Sequence, residues 1–134
     1  MDPIHLEATA TTPKVNIDPS VDKFEISGES RPENAAKFYL PIIAWLDNYK
    51  SVLYFQKNSF GKAKAMKVNF KLDYFNSTSA KFILDIFYQL DKIRVDGFEI
   101  EVVWHYDGRD TDMKDSGEEF SSYVPELTVK YVEY

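Results

Sequence analysis

Cysteine is absent from the 134 residues. A disulfide scaffold, a thiolate metal site and a cysteine nucleophile are therefore excluded. Glycine and proline are scarce, at five and six residues, and no segment is collagenous or of low complexity. Long apolar runs are missing as well. The longest, Phe38 to Leu46, is interrupted by Pro41, whereas a membrane helix needs about 20 apolar residues. Positive charge is in short supply: 16 Lys and Arg face 22 Asp and Glu, a formal net charge of −6. That balance argues against nucleic-acid binding, which needs cations to neutralise phosphates. No apolar stretch follows the acidic start Met1-Asp2-Pro3, so neither a signal peptide nor membrane insertion is expected, and a cytoplasmic location is the natural expectation. The chain holds two histidines and no Gly-x-Ser-x-Gly, His-Glu-x-x-His or Gly-x-Gly-x-x-Gly pattern, which leaves a thin catalytic repertoire.

Aromatic residues are abundant at 16%, unlike a disordered chain. A chain of this length buries roughly two-thirds of its unfolded surface and forms about one domain. Residues 1–12 are expected to be a flexible lead-in and residues 13–134 one domain. Short strands are predicted at Val15–Ile17 and Phe24–Ser27, joined by a turn through Asp18-Pro19-Ser20. Ser30 is the expected cap of a first helix over Glu33–Tyr54, with Pro32 near its first turn. Apolar residues from Ala35 to Leu53 recur at spacings of three and four, so one stripe faces a core; Pro41 should kink it. Residues 56–64 read as a loop. Met66, Val68, Phe70, Leu72 and Tyr74 alternate with polar residues, a strand with one wet face. A helix over Thr78–Ile93, a strand with Phe98, Ile100, Val102 and Trp104 inward, a short acidic helix over Thr111–Tyr123 and a last strand with Leu127, Val129 and Tyr131 complete the pattern.

Successive strand–helix–strand units imply right-handed parallel crossovers, which put the helices on one side of the sheet. The expected fold class is α/β: a single two-layer sandwich with a mixed β-sheet and helices packed mainly on one face. The open face should carry Lys67, Lys71 and Lys130 near Glu25, Glu99 and Glu101.

The most informative segment is Tyr74 to Phe87. It runs from strand end through Asn76 and three hydroxyls, Ser77, Thr78 and Ser79, into a helix. Free amides and the positive helix end suit a bound or covalent phosphate there. One hydroxyl explains a cap; three after an asparagine exceed what capping needs. Phe82, Ile86 and Tyr88 behind them are candidates for a docking patch. A second cluster, His105, Asp107 and Asp110, could act as acid and base or share a metal; a structural role is the simpler account. The run Lys57, Lys62, Lys64, Lys67 and Lys71 could dock an acidic partner or a phosphate, although a solvated loop is the default reading.

Gly28-Glu29-Ser30-Arg31-Pro32-Glu33-Asn34, then Phe75-Asn76-Ser77-Thr78-Ser79-Ala80-Lys81 with Asp85-Ile86-Phe87, then Trp104-His105-Tyr106-Asp107 and Gly117-Glu118-Glu119-Phe120 occur in that order. Together these motifs resemble the SiaC-like family of bacterial regulatory phosphoproteins over nearly the whole chain. The resemblance implies a fold like that of anti-sigma-factor antagonists (STAS domains) and a non-enzymatic switch without a cofactor or metal. It implies a dedicated kinase, a PP2C-type phosphatase and, as effector, a diguanylate cyclase that the unmodified form activates, raising cyclic di-GMP and promoting biofilm. It assigns the phosphate to Ser77, with Asn76, Thr78, Ser79, Lys81, Phe82 and Asp85 as its surround. The family usually has Thr then Ser here; the order Ser77, Thr78 makes Thr78 the competing acceptor. Two other expectations stand beside this one: a small acid–base or metal-dependent hydrolase using His105, Asp107 and Asp110, and an unmodified protein-binding module.

Overall fold

A computed structural model describes residues 1–60 and 66–134, without the side chains of 57–60. Its elements are β1 (Ile4–Leu6), β2 (Lys14–Asp18), a 3-10 turn (Pro19–Val21), β3 (Lys23–Ser30), α1 (Ala35–Phe60), β4 (Met66–Phe75), α2 (Ser77–Val95), β5 (Ile100–Tyr106), α3 (Thr111–Ser122) and β6 (Thr128–Glu133). Residues 1–12, expected as a loose lead-in, carry an edge strand. Ile4–Leu6 pairs antiparallel with β2, and the Trp45 indole donates to the Asp2 carbonyl at 2.7 Å. Three alternating residues are too few to stand out from a polar lead-in by pattern alone.

The sheet order is β1-β2-β3-β4-β5-β6. β2 and β3 form an antiparallel hairpin. Asp18 closes its turn by accepting from the Ser20 amide at 3.1 Å and hydroxyl at 2.6 Å. From β3 onward every pairing is parallel, so α1, α2 and α3 are crossovers. α1 packs on α2 and α2 on α3, which makes the helices one layer over one sheet face. The other face is wet. It carries the ion pairs Lys14–Glu25 at 3.5 Å and Lys130–Glu101 at 3.4 Å.

Three local expectations change. Ser30 does not cap α1. It ends β3 fully buried, and Asn34 caps instead, its side chain accepting from the Lys37 amide at 3.1 Å. α1 also runs past its predicted end, through Pro41 and on to Phe60. Residues 56–60 of the expected loop are thus helical, and 61–65 lie outside the described residues, as do the side chains of Lys57, Lys62 and Lys64. Finally, the alternation of β4 breaks near its end. Gly28 pairs with Leu72 but Glu29 pairs with Tyr74, a bulge that leaves Asp73 unmatched. Gly28, at φ +107, takes a backbone conformation that side chains disfavour. The slip moves the inward side from Tyr74 to Phe75. Tyr74 is therefore 48% exposed, while Phe75 meets Trp104 at 6.5 Å and Phe120 at 5.7 Å between ring centroids.

Phe75 completes an aromatic cluster. Trp104 lies 5.6 Å from both Phe70 and Phe120, and Phe87 lies 5.5 Å from Phe120. The Trp104 indole also donates to the Met113 carbonyl at 2.8 Å, which ties α3 to β5. This contact demands a glycine at 117, since a Cβ there would sit 2.6 Å from two Trp104 ring atoms. Gly117→Ala must push the buried indole or the helix aside. A loss of about 1–3 kcal/mol is expected, read as a lower urea midpoint at unchanged m-value, whereas Ser116→Ala should stay within about 0.5 kcal/mol of the parent.

Candidate functional site

α2 begins at Ser77, the first residue after the cap Asn76. The bulge and the inward-facing Phe75 decide that position. Once Phe75 points inward, the chain leaves the sheet at Asn76, whose amide still donates to the Ser30 carbonyl at 3.0 Å. The Asn76 side chain accepts from the Ser79 amide at 2.9 Å, so capping needs none of the three hydroxyls. Ser79 is fully buried. Ser77 and Thr78 are exposed, and their amides occupy the first turn, where a helix supplies no acceptor of its own.

Ser79 turns into a buried knot. Its hydroxyl donates to the Ser30 carbonyl at 3.1 Å and accepts from the Ser30 hydroxyl at 2.9 Å. The Ser30 hydroxyl also bonds the Tyr39 hydroxyl. A serine has one proton to give, and Ser30 gives it to Ser79, so Tyr39 is the donor. Ser30, at the end of β3, thereby joins the second turn of α1 to the first turn of α2. Burial pushes the Tyr39 phenol above its ordinary value, against the hydrogen bonds to Ser30 and Ser79. The Tyr39 ring stacks on Phe82 at 5.9 Å and 5°.

The remaining predicted residues divide. Lys81 is exposed, with its Nζ 5.9 Å from the Phe82 centroid. Phe82 and Asp85 are half-buried, and Tyr88 is 38% exposed. Ile86 is fully buried and cannot join a docking patch, because it belongs to the stripe that α2 lays on the sheet. Ser30 and Tyr39 are the members that residue types alone did not single out. The only hint is a serine two residues before a proline, which reads equally as a cap.

His105, Asp107 and Asp110 each have a structural partner. His105 Nε2 lies 3.0 Å from Asn69 Oδ1 on the open sheet face. Burial and the nearby Lys71 lower its pKa, against Glu25. Asp107 accepts from the Arg109 side chain at 2.8 and 3.0 Å and from its amide at 2.9 Å; those bonds hold its carboxyl down to about 2. Asp110 caps α3, accepting from the Met113 amide at 3.0 Å. Asp107 and Asp110 share the wall of a cleft of about 450 Å³ with Asp73, Arg109 and Tyr134, and His105 is not among its lining residues. No group of three or more His, Asp or Glu suited to a metal occurs among the described residues. A larger cleft of about 700 Å³ opens where β3, β4 and β5 begin, walled by Phe24, Trp45, Tyr49 and Phe98. It lies a full β4 length, about 30 Å, from Ser77. No helix among the described residues is long and apolar enough to cross a membrane.

The family model described as SiaC family regulatory phosphoprotein matches residues 6–134. The chain belongs to the SiaC family. An uncharacterized protein of Pseudomonas aeruginosa (strain UCBPP-PA14) is 25% identical over 120 residues, covering 90% of this chain and 88% of that one. The crystal structure of apo-SiaC from Pseudomonas aeruginosa superposes with a TM-score of 0.83 at 23% identity, covering 98% of this chain and 99% of that one. The crystal structure of diguanylate cyclase SiaD in complex with its activator SiaC, from the same organism, matches with a TM-score of 0.83 at 22% identity, again over 98% and 99%. The six-stranded sheet with its single helix layer is thus the SiaC fold.

The knot has a pH signature. Tyr39 is held neutral in the fold, so its contribution to stability is fully present below about pH 10 and is lost as pH rises through its higher folded-state value. Tyr39→Phe should cost about 1 kcal/mol at pH 7 and flatten the alkaline fall in stability, measured by urea unfolding from pH 7 to 11. Ser79→Ala leaves the buried Ser30 proton without an acceptor and should cost about 1–3 kcal/mol. A fall equally steep in Tyr39→Phe would place the alkaline sensitivity elsewhere.

Proposed function

We propose that this chain is a non-enzymatic signalling protein switched by reversible phosphorylation of Ser77. One observation carries the reading. Asn76 does the capping and Ser79 is locked inside, yet two hydroxyls are exposed on the first turn of α2. A phosphate on Ser77 would meet first-turn amides and the positive helix end without moving the backbone. It brings about −1.5 to −2 charges and three acceptor oxygens. Lys81, one turn on, is placed to face it. Ser77 is preferred over Thr78 on the family resemblance; both are exposed.

The partner class follows from the family. SiaC of Pseudomonas aeruginosa is the activator of the diguanylate cyclase SiaD. By that likeness the unmodified chain binds and activates a diguanylate cyclase, with cyclic di-GMP and biofilm formation as the downstream reach. A kinase adds the phosphate and a PP2C-type phosphatase removes it, in the cytoplasm. Phosphorylation works by differential affinity: each factor of ten needs about 1.4 kcal/mol between the two states. Docking runs along the exposed side of α2, past Lys81, Phe82, Asp85 and Tyr88. The acid–base alternative gains nothing from the geometry, since His105, Asp107 and Asp110 serve three separate hydrogen-bonding tasks.

The test pairs labelling with binding. Incubation with the kinase from the same organism should label the wild type and Thr78→Ala but not Ser77→Ala, with the phosphate mapped to residue 77 by mass spectrometry. Ser77→Asp should bind the organism's diguanylate cyclase at least tenfold more weakly than wild type, and Ser77→Ala should bind it normally. Label that survives in Ser77→Ala and disappears in Thr78→Ala moves the switch to Thr78. Equal affinity of Ser77→Asp and Ser77→Ala would sink the switch.

A further inference from the structure

Arg31 follows directly on β3, and its backbone is pinned. Its amide donates to the Thr11 carbonyl at 2.8 Å, and the carbonyl before it, of Ser30, accepts from the Asn76 amide at 3.0 Å. The parallel ladder ends on the pair Ser30 and Phe75. Summing standard bond lengths across that hydrogen bond keeps the Cα atoms of Arg31 and Ser77 within about 13 Å of each other. An extended arginine carries its guanidinium roughly 6–7 Å from its Cα by the same bond lengths, and a phosphoserine extends toward it. The Arg31 guanidinium rests on two acceptors, Glu29 Oε2 at 2.7 Å and the Ala10 carbonyl at 3.3 Å. The side chains of Arg31 and Glu29 are 51% and 38% exposed, and an ion pair in so much water is held weakly.

We propose that Arg31 is the phosphoryl-binding residue of this site: when Ser77 carries a phosphate, the guanidinium leaves Glu29 and takes the phosphate instead. The inference rests on Ser77 being the acceptor. A phosphate carries nearly twice the charge of a carboxylate and offers three oxygens to the planar guanidinium fork. Lys81 approaches from the α2 side, since helical side chains lean toward the N-terminus. The exchange has a second product. Glu29 loses its cation and the Ala10 turn loses its tether. A partner docked at this rim then meets a new dianion and, beside it, an uncovered carboxylate.

The experiment uses the full chain with phosphoserine installed at position 77 by genetic-code expansion, so it does not depend on a kinase. The phosphorus-31 resonance is titrated. In the wild type the second ionisation should fall about one unit below the ordinary value near 6. Arg31→Gln should return it by about one unit, tenfold in proton affinity, with Lys37, Lys81, Glu33 and Asp85 unchanged beside it. Arg31→Lys should lie between, and Glu29→Gln should keep the low value. Identical titrations of wild type and Arg31→Gln, both folded by circular dichroism, would overturn the exchange and leave the Ser77 switch standing. A phosphate mapped outside residues 77–78 in protein isolated from cells removes the switch itself, and Arg31 loses its role with it.

Discussion

The Ser30 peptide is where the fold and the site meet. Its carbonyl accepts from the Asn76 amide and the Ser79 hydroxyl, and its own hydroxyl stands between Tyr39 and Ser79. A buried polar group costs free energy unless it is hydrogen-bonded, and here each member completes another. β3, α1 and α2 cannot shift independently without leaving a donor or acceptor bare. The first turn of α2 is therefore a rigid platform, although its outer hydroxyls face water. A rigid platform suits a site whose two states differ by charge and not by shape.

The layering was legible from periodicity. Strand alternation at 66–72 and helical spacing at 35–53 each specify one buried side, and a sheet with one apolar face needs one layer of helices. The local errors have physical causes. Tyr74 follows the alternation of β4 perfectly, and only the bulge at Asp73 turns it outward; nothing in a β-strand pattern announces an unmatched residue except the nearby Gly28. Ser30 carries the right chemistry for a cap and sits near a proline, but tertiary contact claims its hydroxyl for the interior. Asn34, one residue from α1, takes the task. β1 escaped because three residues are too short for a period. The motifs shared with the SiaC family are partly accounted for by packing: Phe75, Phe87, Trp104, Gly117 and Phe120 belong to one aromatic cluster and its tight helix contact.

That division helps to separate scaffold from surface. Asn76 and Ser79 have full structural employment, so their presence in a motif says little about partners. Ser77, Thr78 and Lys81 are exposed, and capping does not require them. The same holds at the C-terminal end of β5. There Asn69 occupies His105 and Arg109 occupies Asp107, and a carboxylate held near 2 is a poor base at neutral pH.

The electrostatics of the rim bear on the proposed switch. The crossovers are all parallel, so α1, α2 and α3 begin at the same end of the sheet. Each start contributes about half a positive charge from its free amides. Against that background the unmodified first turn of α2, with Lys81 one turn on and Arg31 offset by Glu29, favours an acidic or neutral partner surface, even though the whole chain carries −6. A dianion on Ser77 outweighs the helix end and Lys81 together. The local field would reverse while the net charge of the molecule changes by at most a third. Under the proposed switch, discrimination would reside in a patch a few ångströms wide, within about one Debye length of 8–10 Å at physiological salt. Only a partner whose contact reaches that turn can read the modification.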